Sequence, residues 1–428
     1  MIKKLVSLFL VLALMAAVPA FAEPTEIDGI ADRGIKINRA GLNAPADEVI
    51  GQGFSPTTGR ALDEIDTPDG FLGTAVTGQY QPIMVQISNS GNGVGVTKSG
   101  KLYVVAPVNG SYSDVVYEAP QKKGGNETRM SMIFSDTIPD YVGFVRSTRL
   151  THCRIRQEWD CAYCTSGYAP ADVPDEWKRL GVRNPAGASP DDPGLAYVGD
   201  YPKVWKDYVW RLSGIDSANS ELFMPADIVK NIVPKDHVPA NHTWLFSDDL
   251  PEGGDNGGII YVTWGNKYET DSRLEYDPSI NAYIRYVNVE KLGDQPYKDT
   301  VLVNPEIKKV RNSEGETVKK VVAESRNENN LSTFNTVIVQ GIKMNWIDSL
   351  RPDPELTGTG NADFFMGGKH YKGVWDRPDI NSRTVFYGED GNEIKLQKGR
   401  TLIILMPYME AVNGRKMNKS EKYSIKYE

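Results

Sequence analysis

Cysteine and histidine are scarce in this chain, three and four residues among 428. An odd set at Cys153, Cys161 and Cys164 cannot pair fully within one chain. That excludes a disulfide scaffold and leaves buried thiols, or one disulfide plus one free thiol. The spacing C-x7-C-x2-C beside His152 invites a metal site. Residues 160–165, however, read as a strand, where positions three apart face opposite ways, and no second CxxC or HxxxH completes four ligands. His152, His237, His242 and His370 form no metal pair, and no H-E-x-x-H occurs. A G-x-S-x-G elbow, a Walker loop and a dinucleotide fingerprint are absent too, so neither metal nor cofactor is expected. Positive charge is in deficit, 48 Lys and Arg against 56 Asp and Glu, so no nucleic-acid surface is expected. Beyond residue 22 no apolar run approaches the ~20 residues that span a bilayer.

What is present points to strands. Glycine and proline together number 66, and phenylalanine and tyrosine 33, a composition of short strands and turns rather than of a helical bundle. Residues 1–22 hold a basic start (Lys3, Lys4), an apolar run from Leu5 to Val18, and Ala20-Phe21-Ala22 before Glu23. This is the three-part pattern of a cleaved secretory signal. It predicts a secreted or extracytoplasmic cell-envelope protein with no membrane span. No cysteine follows the run to accept a lipid. The remaining 406 residues would carry a net charge of −10.

Along the chain, residues 23–53 read as a polar extension carrying little of the core. Strands are predicted at Gln81–Asn89, Leu102–Val108, Asp114–Glu118, Thr128–Phe134 and Asp160–Thr165. A helix is predicted from Leu150 to Trp159 with Ser147 or Thr148 as its N-cap, and a second through Trp205, Tyr208, Val209 and Leu212, ending at Gly214. This makes residues 54–252 an α/β (or α+β) N-terminal domain. The breaker cluster 251–258 marks a boundary. Beyond it, short strands at Ile259–Trp264, Tyr283–Val289, Val301–Val303, Phe334–Val339, Lys372–Trp375, Thr384–Tyr387 and Thr401–Met406 predict a mostly β C-terminal domain over residues 253–412. Residues 413–428 read as a basic, solvated tail or a final edge strand. The aromatics Tyr201, Trp205, Tyr208, Trp210, Trp244, Phe246 and Trp264 are expected in the core rather than on a ligand platform.

Several segments carry a resemblance. Thr57-Thr-Gly-Arg-Ala-Leu-Asp-Glu, Gln81-Pro-Ile-Met-Val-Gln-Ile-Ser-Asn, Asp114-Val-Val-Tyr-Glu and Val142-Gly-Phe-Val-Arg-Ser-Thr-Arg149 resemble the bacterial YerB-type lipoproteins of the DUF3048 family, whose function is unknown. Later, Glu275-Tyr-Asp-Pro278, Tyr283-Ile-Arg285, Asn335-Thr-Val-Ile-Val-Gln340, Gly373-Val-Trp-Asp376 and Gly399-Arg-Thr-Leu-Ile403 resemble its C-terminal domain. The likeness runs in order over residues 54–408. It implies an α/β domain followed by a β-rich one and no established activity. Ser88 stands where members tend to have an acidic residue, Thr165 where they tend to have histidine, and Pro239-Ala240-Asn241-His242 is a shifted form of their Pro-His-Asn segment.

The sharpest local feature is basic. Arg129 on a strand, with Arg146, Ser147 and Arg149 at a helix start, would form a pocket for carboxylate or phosphate. Glu118 is either the internal ion-pair partner of one of these arginines or an acid/base group. Asn89 and His242 complete the candidate ligand-binding set. The reading is a non-enzymatic module that binds an anionic or glycan-peptide ligand of the cell wall. The alternatives are a hydrolase of envelope polymers using Glu118 with Asp114 or His242, and a scaffold offering an edge strand or its tail to an envelope protein partner. Asp114 and Glu118 lie ~13 Å apart along one strand, too far to act together.

Overall fold

The structure, a computed structural model, describes residues 23–39, 44–89, 95–96, 102–103, 107–123, 127–182, 195–198, 207–211, 221–265, 271–287, 296–299, 306–311, 317–322, 330–412, 415–416 and 423–428. Strand dominates, with few helices: an α/β N-terminal domain is followed by a β-rich C-terminal one. Every residue of Ile83–Asn89, Val115–Pro120 and Thr128–Phe134 is buried. Such runs, rich in Val, Ile and Met, suit central strands covered on both faces.

One sheet threads both domains. Its order is Asp255–Asn256, Lys369–Arg377, Gly358–Met366, Thr336–Asp348, Thr401–Val412, Val115–Pro120, Thr128–Phe134, Ile83–Asn89, Ala162–Thr165 and Ala196–Val198, with three further strands paired off this path. The seam is the parallel pairing of Thr401 through Ile404 with Val115 through Glu118. Alternation along each strand feeds two cores. Val116, Met130 and Ile87 enter one; Val115, Ile133 and Met84 enter the other.

The first core is closed by a six-stranded sheet ordered Thr25–Glu26, Ser424–Tyr427, Ile259–Thr263, Ser272–Asp277, Ala282–Val287 and Thr333–Phe334. Helix Pro225–Asn231 adds Ala226, Ile228 and Val229 to it. The second core receives Cys153, Ile155 and Trp159 of helix Leu150–Trp159 and Trp177 of helix Val173–Arg179. Trp244 and Trp264 are buried as expected of core aromatics, Trp210 is half-buried, and positions 201 and 205 lie outside the described residues. No helix among the described residues is long and apolar enough to cross a membrane.

Four expectations need correcting. Val209–Arg211 is a strand paired with Glu221–Phe223, not part of a helix; strand pairing overrides a short helical periodicity, and positions 205 and 212 lie outside the described residues. The helix beginning at Leu150 is not capped by Ser147 or Thr148. Arg149 holds the cap position, and His152 Nδ1 accepts its backbone N–H at 3.0 Å.

The extension is a strap laced onto the C-terminal domain. Thr25 and Glu26 pair with Tyr427 and Lys426, and Ile27 is in the core. Arg33 donates to Asp363 (2.7 Å) and to the Ala362 and Gly373 carbonyls, and Arg39 grips Asp376 with two nitrogens. Gly29 passes so close to the Tyr408 ring that a Cβ there would lie 1.9 Å from it.

Finally, the end of the tail is neither solvated nor an edge. Ser424–Tyr427 runs between Thr25–Glu26 and Ile259–Thr263 with Ile425 and Tyr427 buried. The expected strand Val301–Val303 lies outside the described residues, and of Leu102–Val108 the structure describes strand at Leu102–Tyr103.

Candidate functional site

Strand parity sorts the candidate residues. In the register of the central strands, Ser88 and Ala119 flank Arg129, whereas Glu118 stands opposite Met130 and Asn89 opposite Thr128. Neighbours one step apart on a strand point to opposite faces. Arg129 therefore lies on one side of the sheet, and Glu118 and Asn89 lie on the other.

On the helix side, Arg129 meets the turn that carries Arg146, Ser147 and Arg149. Its Nη1 donates to the Ser147 carbonyl, and Glu127 Oε1 lies 3.5 Å from Nη2. Arg149 Nη1 donates to the Thr148 carbonyl at 2.8 Å. The Nε groups of Arg129 and Arg149 and the hydroxyls of Ser88 and Thr151 are buried with no hydrogen-bond partner among the described residues. Burial, then Arg149 and Arg146, outweigh Glu127 and pull the Arg129 guanidinium down to about 9. Burial, then Arg129 and Arg149, push His152 well below its ordinary value, so it stays neutral and serves as the acceptor that caps the helix.

On the other face Glu118 is fully buried and has both oxygens engaged. Oε1 accepts from Asn89 Nδ2 (2.8 Å) and Thr128 Oγ1 (2.7 Å), and Oε2 accepts from Arg285 Nη2 (2.8 Å). The expected partnership with Arg129, Arg146 or Arg149 is thus replaced by one with Arg285, 167 residues away on the opposing sheet. Burial and full occupation of its oxygens leave Glu118 no free lone pair directed at solvent among the described residues. Asp114 is likewise occupied, its Oδ2 accepting the backbone N–H of Ser135 (2.6 Å) and Asp136 (2.9 Å).

His242 belongs to a third place. Its ring stacks on Trp159 at 3.7 Å, at the far end of the helix whose start carries the arginines. Ten helical residues rise ~15 Å, which separates the two sites. Nε2 meets Glu158 Oε1 at 3.0 Å, while Glu158 also accepts the Thr384 N–H (2.7 Å) and has Arg377 Nη1 3.1 Å from Oε2. Burial alone would raise the Glu158 carboxyl; Arg377, His242 and Thr384 outweigh it and hold it at about 2. Burial lowers His242 despite Glu158, so a neutral imidazole donates Nε2–H to a carboxylate. This network joins the helix to residues 377–384 of the C-terminal domain.

The three cysteines are buried and unpaired with one another. Cys164 faces the first core and Cys153 and Cys161 the second. Burial pushes Cys153 and Cys161 up to about 12.

Sequence reasoning missed Arg285, Glu158 and Arg377. A usable signal existed for Arg285. It shares strand phase with Tyr283 and Val287, both buried, and a charge in the apolar phase marks a buried ion pair.

Comparison with known proteins agrees with this architecture. The profile described as "Protein of unknown function (DUF3048) N-terminal domain" matches residues 74–189, and that of the C-terminal domain matches residues 260–403. The crystal structure of the YerB protein from Bacillus subtilis is similar in fold, with a TM-score of 0.53 and 18% identity over 83% of this chain and 96% of that one. No functionally curated protein matches the sequence.

Two outcomes follow from the buried networks. Glu118→Leu alone should destabilise by about 3–5 kcal/mol because it orphans a buried guanidinium, whereas adding Arg285→Met should recover most of that loss; urea unfolding that shows simply additive losses would refute the coupling. Because the folded value of His242 is depressed below 6.5, the unfolded chain takes up its proton first, and stability is lost as pH falls below 6.5. Wild type should therefore lose more stability than His242→Gln between pH 7.5 and 5, as read by urea unfolding at each pH. Equal losses would show that His242 is not held neutral.

Proposed function

The chain belongs to the DUF3048 family of proteins of unknown function, and from that premise we propose that it is an exported cell-envelope module that binds an anionic ligand, without catalysing a reaction, at Arg129, Arg146, Ser147 and Arg149. The observation that carries this reading is Arg129. It is 6% exposed, pulled down to about 9 by its surroundings, and touches one carboxylate, Glu127, at 3.5 Å. A buried cation is costly unless paired and fully hydrogen-bonded. Its Nε and that of Arg149 remain without an acceptor among the described residues. A carboxylate or phosphate seated between them would receive two-point contacts from guanidinium forks and favourable charge from the helix start.

Export rests on the pattern of residues 1–22. Protein recovered outside the cytoplasm should begin at Glu23 by intact-mass measurement, and retention of residues 1–22 would refute cleavage. The ligand reading is checked by thermal unfolding with inorganic phosphate, citrate and muropeptides at matched ionic strength. At least one of these should raise the melting temperature relative to chloride, and Arg149→Ala should abolish the rise. A rise that survives Arg149→Ala, or none with any of the three, would refute the site.

A further inference from the structure

We propose that a second ligand site lies in the cleft where the 54–61 loop faces Lys398 and Arg400, and that it takes an anionic saccharide, a sugar bearing a carboxylate or a phosphate. The cleft holds about 790 Å³ and is lined from both domains, by Phe54 and Arg60 on one side and Ile280, Lys398 and Arg400 on the other. That volume falls in the range, roughly 300–1,000 Å³, typical of small-molecule sites.

The loop is built to hold its shape. Buried Asp136 accepts the hydroxyls of Ser55 (2.6 Å), Thr57 (3.2 Å) and Thr58 (2.6 Å), and the Thr58 carbonyl accepts the Gly399 N–H at 2.8 Å. Gly59 has a φ of +67° and sits against Phe246, where a Cβ would clash at 2.4 Å. The loop therefore presents Arg60 and Phe54 on a rigid mount, the arrangement that lowers the ordering cost of binding.

The chemistry facing the cleft has two parts. Arg60 is exposed, and its side chain donates to the Glu64 carbonyl (3.1 Å) with no carboxylate in ion-pair range among the described residues. Arg400 is fixed by the Ser113, Thr333 and Gly110 carbonyls and the Ser113 hydroxyl. Four of its five N–H donors are thereby used, so it contributes charge more than contacts. Lys398 pairs at 2.6 Å with Asp248, whose side chain is 78% exposed, a pair weak enough to exchange for a ligand anion. Phe54 and Ile280 meanwhile leave 40% and 47% of their surface exposed. A bare anion would leave these apolar walls unused, and a neutral sugar would leave the cations unused. A sugar whose C–H face rests on Phe54 while its acidic group meets Arg60 and Lys398 satisfies both.

The test is calorimetric titration of the full chain with glucuronate and with glucose 6-phosphate, using glucose and inorganic phosphate as controls. At least one charged sugar should bind more tightly than either control; binding of one and not the other identifies the acidic group and still supports the site. Arg60→Ala should weaken that binding roughly tenfold, the loss of one charge-assisted hydrogen bond. Phe54→Ala should weaken the sugar and leave phosphate unchanged. Both side chains are exposed, and unaltered melting temperatures would confirm that the variants fold. Repeating the titrations in Arg149→Ala, which lacks the arginine group's site, should leave sugar binding that Arg60→Ala still weakens, and this separates the cleft from the arginine group. Charged sugars no tighter than phosphate, an unaltered affinity in Arg60→Ala, or no remaining sugar binding in Arg149→Ala would each overturn the proposal.

Discussion

The contact between Glu118 and Arg285 governs how the two sheets meet. Both side chains are almost completely buried, and each comes from a different sheet and a different domain. Removing two such charges from water costs several kcal/mol per ion, and the attraction between them returns that only when the remaining lone pairs and protons find partners. Asn89 and Thr128 meet this condition on the carboxylate side. The guanidinium is less completely served: Nη1 points at Met130 Sδ (3.1 Å), Tyr297 lies 5.5 Å from its centre, and Nε has no acceptor among the described residues. A pair compensated in this way contributes alignment more than net stability. Sliding either sheet by one residue would turn one charge outward and leave the other alone in the core.

The same strand parity that buries Glu118 directs Arg129 to the opposite side, so a run of a few residues supplies a structural ion pair to one core and a cationic group to the other. The second interface between the domains, His242 with Glu158 and Arg377, lies across the sheet from the first. The long sheet is thereby pinned on both faces by ionised groups drawn from both halves of the chain.

Much of this was legible in the sequence because it depends on local alternation and composition. The strands at Ile83–Asn89 and Thr128–Phe134, the first half of the strand Thr401–Val412 (expected only to Met406), the helix at Leu150–Trp159 and the β-rich second half all follow from residue phase. What escaped depends on partners distant in the chain. Nothing near Glu118 identifies Arg285, and nothing near Arg33 identifies Asp363, 330 residues on. The polar, breaker-rich stretch after residue 23 looks like a loose extension until Gly29 is seen against Tyr408. Lys426 makes the final strand look solvated, although the residues on either side of it, Ile425 and Tyr427, are the ones that face the core.

That last strand sets an order of assembly. Thr25 pairs with Tyr427, a separation of about 400 residues, and Ser424–Tyr427 in turn stands between Thr25–Glu26 and the rest of its sheet. Thr25 and Glu26 cannot enter their sheet until the ribosome has delivered the strand that receives them. The pairing joins the two ends of the polypeptide, a contact of very large sequence separation. Of the strap, only Thr25 to Ile27 depend on that final strand; Arg33 and Arg39 reach Asp363 and Asp376, which precede it in the chain.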